Sequence, residues 1–104
     1  MNYSPGQIWR YRTRAGEEHT RILILKSENN GSGNVVHLTV VGTDFEAPEH
    51  MPFSEQAVDA SVVSLESDQR PLPDFKTGYE IWREESLKGR AGVYSITVAE
   101  ALDL

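Results

Sequence analysis

Between Gln7 and Leu25 the chain switches from strict alternation to an unbroken apolar run, and that switch narrows the folds open to it more than any other feature. From Gln7 to Arg14, Trp9, Tyr11 and Thr13 fall on one side and Ile8, Arg10, Arg12 and Arg14 on the other, the period of two expected of a half-buried strand. Ala15 to Glu18 can turn the chain. Thr20 to Ser27 then carries Ile22, Leu23, Ile24 and Leu25, apolar on both faces, which predicts a central strand covered from two sides.

The remaining segments extend this start into a layered domain. Asn30-Gly31 is a hairpin signal within a Gly- and Ser-containing loop spanning Glu28 to Asn34, and Val35 to Val41 supplies a third strand rich in β-branched residues. Gly42 to Phe53 reads as an acidic loop with room for one short strand. Ser54 reads as an N-cap, and Val58, Val62 and Leu65 recur at helical spacing through Glu66. After Arg70 to Pro73 breaks the chain, Asp74 can cap a second helix, with Phe75, Tyr79 and Trp82 on one face and an end near Leu87, before Gly89. Gly92 to Val98 alternates like a last strand, and Ala99 to Leu104 begins a short terminal helix. The predicted fold class is therefore α+β: an antiparallel β-meander with two helices and a C-terminal strand returning to the sheet, whose strongly twisted version is an SH3-like barrel.

Length and charge bound the function. A chain of 104 residues is of single-domain size, so residues 1–104 are read as one globular domain. Sixteen acidic against ten basic residues give a net charge of -6, which opposes nucleic acid and anionic membranes and favours a basic partner. With no cysteine there is no disulfide framework, thiolate metal site or cysteine nucleophile. Met1 to Ser4 lacks the start of a signal peptide, and no apolar run approaches the ~18 residues of a membrane span, so a cytoplasmic protein is expected.

Few residues form a recognisable chemical motif. Arg10, Arg12 and Arg14 would stand about 7 Å apart along one strand face, with Arg21 on the neighbouring strand. Such a stripe could bind anions, or be a solvated face paired with Glu17, Glu18, Glu84 or Glu85. His19, His37 and His50 are too scattered for a local ligand motif, so neither a metal nor a cofactor is expected. Phe75, Tyr79 and Trp82 could line a ligand groove or a partner surface, and are read in preference as packing their helix on the sheet. The acidic loop with Asp44, Glu46, Glu49 and His50 is the candidate interaction surface, because long loops on a rigid scaffold often carry function.

Pro5-Gly-Gln-Ile-Trp9, followed by Gly16-Glu-Glu18, Arg21 and Ile22-Leu-Ile-Leu25, resembles the start of the MazF/PemK toxin family. That resemblance extends no further than the third predicted strand. It implies an SH3-like barrel that cuts single-stranded RNA, with Arg21 matching the family's arginine and Thr39 or Thr43 nearest to its hydroxyl. The chain also resembles small uncharacterised bacterial proteins with an Ile-Trp-Arg-Tyr opening and a segment like His50 to Val58, a resemblance that implies no activity.

The leading expectation is a non-enzymatic protein-binding module with an acidic surface, of the kind an immunity protein or antitoxin offers to a basic nuclease. Asp44, Glu46, Glu49 and His50 would carry it, with Asp68 and Asp74 as lesser contributors. One alternative is an RNA-cleaving or phosphate-binding barrel using Arg21, Thr39 and Thr43 or the arginine stripe. A second is a small-ligand module.

Overall fold

The computed structural model describes residues 3–29, 31 and 33–104 of the chain. Its strands are β1 (Ile8–Tyr11), β2 (Arg21–Asn29), β3 (Asn34–Val41), β4 (Met51–Ser54) and β5 (Val62–Ser67). Three helices, α1 (Glu55–Ser61), α2 (Lys76–Leu87) and α3 (Val98–Leu102), complete the α+β architecture. The strands form one antiparallel sheet in the order β4-β3-β2-β1-β5. β4 and β5 are its two edges and do not pair, so the sheet is open and the expected SH3-like barrel closure is not observed. Among the described residues, no helix is long and apolar enough to cross a membrane.

The two-sided character of β2 organises everything around it. Ile22 and Ile24 join Trp9, Tyr11, Val36, Leu38, Val40 and Phe53 in the larger core, covered by Ala57 and Val58 of α1 and Val98 and Ala101 of α3. Leu23 and Leu25 face the opposite way, with Ile8, and are covered by Val41 and Phe75. A register shift against β3 between Ile24 and Lys26 sets Lys26 opposite His37. Asn29 lies opposite Asn34 at the end of this hairpin, and its Oδ1 accepts from the Gly31 amide. Asn30 and Ser32 of the expected turn lie outside the described residues.

Three expected elements differ from those observed. The helix expected from Ser54 through Glu66 begins as predicted, with the Ser54 hydroxyl accepting from the Ala57 amide, but ends at Ser61. Val62 is already extended, and Val62 to Ser67 run as a strand along the outer edge of β1. Consecutive β-branched Val62 and Val63 favour that conformation, and the vacant β1 edge rewards it with a hydrogen-bond ladder. The helical spacing of Val62 and Leu65 was coincidental: Val62 reaches the core from a strand, while Leu65 is 46% exposed.

The final strand expected over Gly92 to Val98 contracts to one parallel bridge between Tyr94 and Phe53, held by Ser54 N–H to Tyr94 O and Tyr94 N–H to Pro52 O. A capping box between Thr97 and Glu100 turns the chain into α3 instead. The first strand is also shorter than its alternation suggested, ending at Tyr11, so Arg12 and Arg14 fall beyond it. At its start Gly6, with φ +91, lies where an added Cβ would meet the Arg70 carbonyl oxygen at 3.1 Å, a position only glycine fits without strain.

Ser61 joins the layers. Its fully buried hydroxyl donates to Ala57 O at 2.7 Å and accepts from the Val98 amide at 3.1 Å, tying the end of α1 to the start of α3. Alanine there orphans a buried N–H. Ser61→Ala is expected to lower stability by about 1–3 kcal/mol in urea unfolding, whereas Ser64→Ala on exposed β5 should stay near wild type.

Candidate functional site

The acidic loop lies at the surface of the molecule. Asp44, Glu46 and Glu49 are exposed, and their carboxylates make no hydrogen bond or ion pair among the described residues. The loop itself is pinned from beneath: Thr39 Oγ1 donates to Pro48 O at 2.8 Å, and Thr43 Oγ1 to Phe45 O at 2.8 Å. Beside it a groove of about 260 Å³ is lined by Phe45, Pro48, Met51, Tyr94, Leu102 and Leu104, with Glu46 at its margin. Asp68 and Asp74 are exposed and lie outside that lining; the Asp74 carboxylate accepts from the Lys76 amide.

Of the four arginines singled out in the sequence, Arg12, Arg14 and Arg21 are engaged in internal contacts. Arg14 forms a bidentate pair with Glu17 (2.7 and 2.6 Å), donates to Leu102 O and Asp103, and lies over the Phe45 ring at 5.2 Å. These carboxylates, Glu17 foremost, hold its guanidinium still more firmly in the charged state. Arg12 donates to Ala60 O, and Arg21 pairs with Glu66 at 3.0 Å while bonding Glu18 O and Thr20 O. Only Arg10 of the expected stripe remains exposed on β1 without such a partner. Arg21, Thr39 and Thr43 are each engaged in separate internal contacts and present no common reacting point.

The structure also assembles a constellation that spacing alone did not reveal. His37, wholly buried on β3, is bonded to His50 at one edge of its ring and to Glu28 at the other: Nδ1 lies 2.7 Å from His50 Nε2, and Nε2 lies 2.9 Å from Glu28 Oε1. Because the carboxylate can only accept, His37 carries its proton on Nε2, and His50 Nε2–H donates to His37 Nδ1. Helix α2 closes over the pair. Tyr79 O–H donates to Glu28 at 2.9–3.1 Å, the Tyr79 and Trp82 rings meet His37 edge-on at 5.0 and 4.8 Å, and Trp82 Nε1–H donates to Gly92 O. Gly78 contributes by having no side chain, since a Cβ there would touch His50 Cβ at 3.4 Å.

Each titration shift has a local cause. Burial lowers His37 below its ordinary value, against the pull of Glu28; burial and then the neighbouring His37 push His50 down to about 4. Burial alone would raise Glu28, but the hydrogen bonds from Tyr79 and His37, with Lys26 nearby, hold it below the usual carboxylate range. Burial, then the bond to Glu28, raises Tyr79. His50 was grouped with the acidic side chains by sequence; its ring belongs to this network instead. No group of three or more His, Cys, Asp or Glu side chains among the described residues is arranged to hold a metal ion.

Glu28 belongs to no candidate set read from the sequence, and Tyr79 only to the aromatic stripe with Phe75 and Trp82. The available signal was His37 itself, an imidazole in the apolar strand Val35 to Val41, which must find partners if it is buried. No protein-family model, curated protein or solved structure matches the chain. Tyr79→Phe, which keeps the ring contacts and removes the hydroxyl that binds Glu28, should cost about 1–2 kcal/mol in urea unfolding at pH 7. It should also raise the Glu28 titration midpoint followed by carboxyl carbon NMR.

Proposed function

We propose that the protein is a non-enzymatic binding module whose acidic face, Asp44, Glu46 and Glu49 beside the Phe45–Leu104 groove, receives a basic protein partner carrying a bulky apolar anchor. The observation that carries this reading is the asymmetry of charge satisfaction. Arg12, Arg14 and Arg21 are consumed internally, whereas the three loop carboxylates face outward uncompensated. With a net charge of -6, that arrangement projects a negative field from the loop, and the groove beside it, which Glu46 borders, supplies apolar area that charge alone does not. Steering by the rim and anchoring in the groove are complementary parts of one interface.

An immunity protein or antitoxin covering a cationic nuclease fits this description, and a cysteine-free chain suits a reducing cytoplasm. The geometry favours this over an RNA-cleaving reading, since Arg21 is neutralised by Glu66 and an acidic surface repels polyphosphate.

The proposal is tested by affinity capture with the whole chain and quantitative binding of the captured protein. The captured partner should be basic, and its affinity should fall with rising salt. Combined Asp44→Lys, Glu46→Lys and Glu49→Lys substitution should weaken binding by about tenfold or more, mainly through the association rate, while Glu80→Lys with Glu84→Lys on α2 should have little effect. Unchanged affinity in the loop variant would remove the proposal.

A further inference from the structure

The network under α2 is larger than packing one helix requires. No residue of α2 is buried, and its N-cap residue, Phe75, offers no side-chain acceptor, so that the Lys76 amide is received by Asp74 instead. Phe75, Tyr79 and Trp82 attach it to the sheet, and the last two do so around His37, His50 and Glu28. A 12-residue helix is marginal by itself in water, so its order depends on that attachment.

We propose that His37, His50, Glu28 and Tyr79 form an acid-released latch: at neutral pH they clamp α2 on the sheet, and acidification frees the helix and bares Ile8, Leu23 and Leu25. The geometry leaves an added proton two places. On His50 Nδ1 it charges a half-buried ring stacked 4.9 Å from a second imidazole. Between the rings, where the nitrogens are 2.7 Å apart, it forces two N–H groups to face each other. The second breaks the bond between the rings, and the first charges a ring partly shielded from water by Tyr79 and Trp82, whose ring centres lie 6.1 and 6.3 Å away.

The charges around the pair come from three elements. β2 contributes Glu28, which favours an imidazolium, and Lys26, which opposes it and lies 5.3 Å from the Tyr79 ring. β3 contributes His37. α2 contributes Tyr79, whose hydroxyl occupies Glu28, and Arg83, whose charge acts on Tyr79. The sign follows from linkage. His50 titrates near 6.5 when released and about 4 when docked, so the released state binds more protons, and docking is complete above the first value and lost as pH falls toward the second. Glu28, held low when docked, adds a loss in the same direction at still lower pH.

The test is a heteronuclear NMR titration of the full chain from pH 7.5 to 3.5, read at the Trp82 indole, the α2 amides and the His50 ring, with amide-exchange protection corrected for intrinsic rates. The α2 signals should change together below pH 6.5 while Ile22–Leu25 and Val36–Val40 keep their protection. α2 protection should fall by on the order of tens of fold between pH 6.5 and 4.5. A dye that binds apolar surface should brighten over the same range. His50→Gln preserves a donor to His37 without a titratable ring and should shift release lower by about one pH unit or more. Release at the wild-type pH in that variant overturns the latch. So does a wild-type His50 midpoint at or above 6.5, α2 protection that is constant to pH 3.5, or loss of α2 and sheet together. The wild-type readouts stand whether or not the variant folds.

Discussion

A strand that is apolar on both faces must be covered twice, and β2 imposes that demand on the whole molecule. Ile22 and Ile24 are met by a conventional core, in which the rest of the sheet, α1 and α3 supply enough hydrocarbon to exclude water. Leu23 and Leu25 have far less to draw on. Their cover is Ile8, Val41 and Phe75, and beyond these the second face turns polar at Lys26, Glu28 and His37. The helix over that side is held as much by directional bonds as by burial. One face of the sheet is thus closed mainly by hydrocarbon, and the other partly by titratable groups.

This division explains which parts of the structure were legible in sequence. The strands β2 and β3 and the helix α2 follow from periodicity, because apolar spacing and backbone geometry there ask for the same thing. So does the N-terminal cap of α1. The end of α1 does not: Val58, Val62 and Leu65 fit a helical face on paper, yet the free edge of β1 draws Val62 to Ser67 into the sheet. A non-local hydrogen-bond ladder outweighed a local repeat. Similarly, Thr97 and Glu100 stop the last segment as a helix cap, a local signal that alternation from Gly92 obscured.

The candidate sites divide along the same line. Exposure of Asp44, Glu46 and Glu49 follows from composition and loop position. The partners of His37 do not, because Glu28 lies across a hairpin, His50 beyond a long loop and Tyr79 on a helix packed from outside. His37 and His50 seemed too far apart in sequence to form a motif, and antiparallel pairing of β3 with β4 brings them together. The arginine stripe failed for the opposite reason. Alternation predicted it, but β1 ends at Tyr11 and each following arginine found a nearer carbonyl or carboxylate.

The two register shifts along β5 have an effect beyond the shape of the strand. Val63 and Leu65 stand exposed on an edge that no other element covers among the described residues, a combination that usually invites a second chain to add itself. Where β5 departs from regular pairing with β1, between Ile8 and Trp9 and again between Arg10 and Tyr11, its outward amides and carbonyls lose even spacing. A neighbouring molecule therefore meets no continuous row to template upon. The sheet ends through irregularity rather than through a cap, which lowers the tendency of its apolar margin to pair with a second chain.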